Sequence, residues 1–166
     1  MQDMMQAVTL ATEYCNALQQ APETEQADFV ANLVTLLPKL YLTFCEADEN
    51  DMIDDAYFPD YVDEDYYMNI RHGIETLLGE HDTYLETFEE DMKYSDTPIA
   101  ASIAEGLADI FQDLYNFITE VKESDGENLA GAFSSCFDNF RNYWAQTLCN
   151  VMRPLNNLRF SGELNQ

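Results

Sequence analysis

From Ile99 onward, apolar side chains recur at Ile99, Ile103, Leu107, Ile110, Phe111, Leu114, Phe117, Ile118 and Val121. This three-and-four spacing sets one apolar face along an α-helix. A face that broad has to be covered by other helices, and this requirement constrains the fold more than any other feature of the chain. The start of the helix reads from Asp96 or Thr97 as N-cap and Pro98 at the first helical position, where a missing N–H costs nothing. A helix over residues 98–122 is predicted, led in by Asp91-Met92-Lys93-Tyr94-Ser95-Asp96.

Partners for that face are supplied on both sides. A first helix is predicted from about Asp3 to Gln20, with Asp3 as N-cap, Met4, Val8, Ala11, Cys15 and Leu18 on one face, and Pro22 beyond its end. A second begins near Thr24 and presents Phe29, Leu33, Leu36, Leu37, Leu40, Tyr41 and Phe44. Pro38 lies inside this run, where it removes a backbone hydrogen bond and predicts a kink in one bent helix, with a break at Leu37 as the other option. A third starts near Asp63 and stops at Gly79, a residue suited to ending helices. Tyr84, Leu85 and Phe88 can anchor one or two helical turns between Glu80 and Glu90. After a turn at Ser124-Asp125-Gly126, a last helix runs from about Glu127 to Val151 or beyond along Phe133, Phe137, Phe140, Trp144 and Leu148, with Pro154 bending or ending it. No stretch alternates as a strand would. An all-α, single-domain bundle of five or six helices spanning residues 1–166 is expected.

Charge separates this bundle from an ordinary one. The chain carries 32 acidic residues against 7 basic ones, a formal net charge of -25. Residues 46–96 hold eighteen acids against Arg71 and Lys93, whereas residues 128–166 hold Asp138 and Glu163 against Arg141, Arg153 and Arg159. Within the first stretch, residues 46–60 lose helical periodicity and seven of the fifteen are acidic, which reads as an acidic, mobile loop. Nucleic-acid binding is not expected, because affinity for phosphate backbones comes from Lys and Arg displacing counterions. Anionic membranes are disfavoured for the same reason.

Cys15, Cys45, Cys136 and Cys149 stand singly on apolar helix faces and read as reduced, buried thiols. The N-terminus has no basic region ahead of an apolar run, and the apolar segment 29–44 falls short of the roughly 20 residues that span a bilayer. A cytoplasmic protein is expected.

The carboxylates are the side chains best placed to carry chemistry. Glu105, Asp109 and Asp113 fall at four-residue spacing on the 98–122 helix, with Glu120 on the same side. At about 100° per residue, Glu105 lies opposite the apolar arc, Asp109 outside it and Asp113 near its boundary. A solvated face is the plainer reading, and a metal or substrate site the sharper one. Di-iron bundles use Glu-x-x-His pairs, and neither His72 nor His81 has a Glu three residues before it. Glu86 and Glu89 match half of a helical pyrophosphatase motif, but Glu105 and Asp109 have the wrong spacing for the other half. His81-Asp82 has no suitably distant His before it. An EF-hand counted from Asp48 puts Met52 and Ile53 where a ligand and Gly are needed. There is no Gly-rich phosphate loop and no Gly-x-Ser-x-Gly turn. No catalytic residue, cofactor or metal ligand is assigned. The lead-in supplies Asp91, Lys93, Tyr94 and Asp96 ahead of a helix N-terminus, where positive partial charge favours an anion. These four, with Glu105, Asp109 and Asp113, are the candidate partner or ligand residues.

Three phrases, Asp91-Met92-Lys93-Tyr94-Ser95-Asp96, Leu107-Ala108-Asp109-Ile110-Phe111-Gln112-Asp113-Leu114 and Phe140-Arg141-Asn142-Tyr143-Trp144, resemble a bacterial all-helical domain of unknown function found as stand-alone proteins. The resemblance covers nearly the whole chain and implies a helical fold and a bacterial cytoplasmic setting, without an activity to carry over. The family pattern has an acid beside Glu105 where this chain has Gly106.

The leading expectation is a non-enzymatic interaction module whose acidic middle meets a basic or polar protein partner. The alternative is a metal-dependent or small-molecule enzyme using the carboxylate stripe, and a third reading is an acidic mimic of nucleic acid. Oligomeric state is left open.

Overall fold

Helix ends fall where the chain carries a stop, and the helices between them bury the apolar stripes. The computed structural model describes residues 2–53, 59–86 and 99–165. Helix α1 (Gln2–Gln19) gives way to a single 3-10 turn at Ala21–Glu23 that contains Pro22. Asp3 lies at the second position of α1, inside the first turn and not at the N-cap as expected. Helix α2 (Gln26–Cys45) runs unbroken through Pro38, so the interruption considered at Leu37 does not occur. Its 20 residues are long and apolar enough to cross a membrane by length and composition, contrary to the shorter segment read from the sequence. In the fold, Phe29, Leu33, Leu37, Leu40 and Phe44 of α2 are sealed in the core.

Helix α3 (Glu64–Leu78) is capped by Asp63, whose carboxylate accepts the Tyr66 N–H, and ends at Gly79 with φ 57°. Positive φ is where a residue without Cβ is favoured. After a 3-10 turn at Gly79–Asp82, the chain enters a short strand, β1 (Thr83–Leu85), where Tyr84 and Leu85 were expected to be helical; Phe88, the other expected anchor, lies outside the described residues. It pairs antiparallel with β2 (Ala100–Ser102), Thr83 opposite Ser102. This hairpin corrects the strand-free expectation. It also moves the start of the long helix.

Helix α4 spans Ile103–Glu123 and begins five residues after Pro98. Residues 100–102 are taken by pairing with β1, so the helix is capped later, by Ser102, whose hydroxyl accepts the Glu105 N–H at 3.1 Å. Asp82 completes the cap from another element: one carboxylate oxygen accepts the Ala104 N–H at 2.7 Å and the other accepts the Ser102 hydroxyl at 2.6 Å. Burial of Asp82 is tolerated because both oxygens are hydrogen-bonded.

The turn at Ser124-Asp125-Gly126 forms as expected, with Asp125 and Gly126 at positive φ. Helix α5 (Leu129–Asn139) passes through a π-helical turn at Phe140–Trp144 into helix α6 (Ala145–Phe160). Pro154 stays inside α6 and does not end it. The π turn keeps Phe140 and Trp144 both inward, around Phe44, whose ring lies 5.4 Å from Phe140, 4.9 Å from Trp144 and 5.1 Å from Phe133. The Trp144 indole donates to the Cys136 carbonyl, which satisfies its one polar atom.

Helix α4 is the shared wall of the bundle, packing on α1, α3, α5 and α6, while α2 packs on α1 and α6. Gly106 makes the α4–α6 approach possible, since a Cβ there would stand 2.5 Å from Val151 Cγ1. Any acid at this position would meet the same obstruction. Cys15 and Cys136 are buried as expected, but Cys45 and Cys149 are exposed, because α2 and α6 pack with those positions outward.

Candidate functional site

Asp91, Lys93, Tyr94 and Asp96 lie outside the described residues. The other three candidates stand along α4, each held by a different partner. Glu105 is exposed and lies 3.8 Å from Arg71 Nη2, while Arg71 binds Glu75 more closely at 2.6 Å. Asp109 accepts the Tyr67 hydroxyl at 2.6 Å. Burial, with this hydrogen bond and the charge of Asp109 behind it, pushes the Tyr67 phenol well up. Asp113 is half-buried between α4 and α5 and accepts the Asn139 amide at 3.0 Å. Burial raises its carboxyl from the ordinary 3.8 to about 6, with Asp109 and Asp60 adding to the rise and Asn139 opposing it.

The stripe continues to Glu120, which accepts the Tyr61 hydroxyl at 2.9 Å and the Asn128 amide at 3.3 Å. These carboxylates therefore reach outward to α3, α5 and the loop before α3, and they do not converge on a common point. Among the described residues no group of three or more His, Cys, Asp or Glu side chains is placed to hold a metal ion. The His81-Asp82 pair is divided as well. Asp82 caps α4, while His81 lies 3.5 Å from Glu163.

The acidic segment after α2 is tied down at both flanks. The Ile53 N–H donates to Ser134 of α5 at 2.9 Å, and the Tyr61 N–H donates to Asn116 of α4 at 2.7 Å. Asp48 and Asp60 accept backbone N–H groups two residues on, fixing local turns, and Val62 is buried. The described parts of the segment hold Glu46, Asp48, Glu49, Asp51 and Asp60 in solvent, and Glu64 and Asp65 extend the same surface on the first turn of α3. Arg141 approaches its edge, 4.0 Å from Glu49. Residues 54–58 of the segment expected to be mobile lie outside the described residues, and the anchors on either side, Ser134 and Asn116, are far away in the chain.

A groove of about 360 Å³ between α1 and α4 has no counterpart in the sequence reading. Val8, Cys15 and Ile118 form its apolar side, and Asn16, Gln19 and Lys122 its polar side. Gln19 also donates to the Tyr66 hydroxyl at 2.7 Å, beside stacked Phe111 and Tyr115. No local motif marks such a groove, which exists only where two helices diverge.

A family described as a domain of unknown function, DUF5063, matches residues 2–161. The chain belongs to this family. DUF5063 covers the helical bundle from α1 to the end of α6, so the fold described above is that of the family domain. The crystal structure of protein BF1032 from Bacteroides fragilis, a structural-genomics target, is similar at 30% identity and a TM-score of 0.81, over 96% of this chain and 93% of that one. Comparison with curated proteins finds no match. The DUF5063 description carries no activity, so a function for the acidic surface rests on the residues themselves.

Proposed function

We propose that this DUF5063 chain is a non-enzymatic interaction module that offers the acidic surface formed by residues 46–53, residues 59–60 and the first turn of α3 to a basic segment of a partner protein. The supporting observation is the anchoring of an exposed carboxylate array by backbone hydrogen bonds to Ser134 and Asn116. Charges held on a fixed backbone lose less freedom when a partner binds than charges on a free loop. An acid-rich surface also steers oppositely charged partners and speeds their encounter. Asp109 and Asp113 of the α4 stripe already accept hydrogen bonds from Tyr67 and Asn139, which supports seeking the partner surface elsewhere.

The test is titration with an oligolysine peptide, using two variants of equal net charge. One carries Asp48→Asn, Asp51→Asn, Asp63→Asn, Glu64→Gln and Asp65→Asn. The other neutralises Glu13, Glu23, Glu25, Asp28 and Glu80. The first variant is expected to weaken binding about tenfold more than the second, with the difference disappearing at high salt. Equal weakening of the two would show a non-specific charge effect and reject the assignment.

A further inference from the structure

Three carboxylates meet without a cation where α4 passes the segment leading into α3. Asp109 and Asp113 stand one turn apart on α4, and Asp60 comes from residues 59–62. Burial disfavours ionisation of the Asp113 carboxyl, the Asn139 amide opposes this, and the charges of Asp109 and Asp60 reinforce it. Among the described residues no Lys or Arg forms an ion pair with any of the three. The groups around them on the other helices are neutral. Asn139 of α5 donates to Asp113 at 3.0 Å, and the Cys136 thiol of the same helix is pushed well up by burial and then by the Asp113 charge. The Tyr67 phenol of α3, pushed up by burial, donates to Asp109.

Segment 59–62 is fastened to this same face of α4. Asp113, Asn116 and Glu120 follow one another at i, i+3 and i+7. The Tyr61 N–H donates to Asn116 at 2.7 Å and the Tyr61 hydroxyl to Glu120 at 2.9 Å, so the residue next to Asp60 is bound one turn from Asp113. A carboxylate formed at Asp113 has two charges of its own sign for neighbours and one neutral amide for a partner, and only water can relieve it. Two movements would admit water. Drawing α5 away takes Leu129, Ala132, Phe133, Cys136 and Phe137 out of the core, whereas lifting segment 59–62 breaks the two Tyr61 hydrogen bonds and uncovers Val62. The second disrupts far less apolar packing, and it also carries the Asp60 charge away.

We propose that segment 59–62 is a proton-controlled latch on α4, closed while Asp113 holds its proton and opened more often once that proton is lost. The closed form holds the proton more firmly, with a carboxyl value of about 6 against the ordinary 3.8 that Asp113 regains in water. Opening therefore becomes easier as pH rises above the ordinary value, and it levels off above about 6, where the carboxyl is ionised in both forms. The latch belongs to the chain alone and does not depend on a basic partner binding the acidic surface.

Amide hydrogen exchange followed residue by residue tests this, each rate divided by that of an unstructured peptide at the same pH. The Tyr61 amide is expected to exchange through a local opening, faster than the Leu114 and Phe117 amides within α4. That opening should rise about tenfold between about pH 5 and about pH 7 and then flatten. The Asp113 carboxyl carbon, titrated in the same wild-type samples, should show a midpoint of about 6, which tests the latch without any variant. Asp113→Asn should remove the step, while Glu105→Gln, which neutralises an exposed acid of the same helix, should keep it. Four results would overturn the proposal: a Tyr61 amide that opens only together with the core, a pH step found at the Cys136 and Phe137 amides of α5 instead, a step that persists in Asp113→Asn or vanishes in Glu105→Gln, or an Asp113 carboxyl that titrates in the ordinary range.

Discussion

Asp113 shows how one buried carboxyl couples this fold to pH. Its folded-state pKa is raised from 3.8 to about 6, mainly by burial. The acid form is therefore favoured in the folded chain. Its contribution to stability is complete below the ordinary carboxylate pKa and is lost as pH rises through about 6, above which the ionised group is held at a cost. Replacing it with Asn keeps an oxygen for the Asn139 amide and removes the ionisation. Asp113→Asn should thus raise stability at about pH 7.5 by on the order of 2–3 kcal/mol and leave it nearly unchanged near pH 4. Thermal melts of the two proteins across that range check the sign; a variant less stable at the higher pH would contradict it. Tyr14 is the complementary case of a polar atom fully satisfied in the core, its hydroxyl donating to the Leu107 carbonyl at 2.6 Å. Periodicity reveals that Tyr14 can face inward, but not that a carbonyl 93 residues away accepts its hydrogen bond.

Helix α4 carries the same lesson for elements. Its apolar face and its neighbours were legible because a repeat of three and four is written within a few turns, and Gly79 and Gly126 mark their turns locally. Its beginning was not legible. A three-residue strand is too short to show alternation, and the cap supplied by Asp82 comes from 22 residues earlier. The carboxylate stripe was similarly half-readable: the helical wheel gives outward positions for Glu105 and Asp109 and a boundary position for Asp113, yet their partners Arg71, Tyr67 and Asn139 lie on other elements. The closest approach between elements gives a prediction at this scale. Gly106→Ala improves intrinsic helix propensity but drives a Cβ into Val151, whose branched side chain has few rotamers to retreat to. A net loss of about 1–3 kcal/mol in denaturant unfolding is expected. Val151→Ala in the same chain should recover part of it.

Across the whole molecule, charge works against the fold that apolar packing creates. Thirty-two carboxylates on one bundle repel each other, and the described ion pairs are few and mostly exposed. Stability should therefore rise as salt is added from about 0.02 to about 0.2 M at neutral pH, because screening relieves repulsion that the folded state concentrates more than the unfolded one. A thermal midpoint insensitive to salt would mean that the acids are spaced too widely to matter. The four thiols divide the molecule in another way. Cys45 and Cys149 are open to an alkylating reagent in the native fold, while Cys15 and Cys136, at 1% and 2% exposure, are sealed under α4 and beside the aromatic cluster. The outer pair can carry a label without disturbing the bundle. The inner pair reacts only when the helices part, so the rate at which those two sulfurs are consumed is an internal clock for how often the core opens.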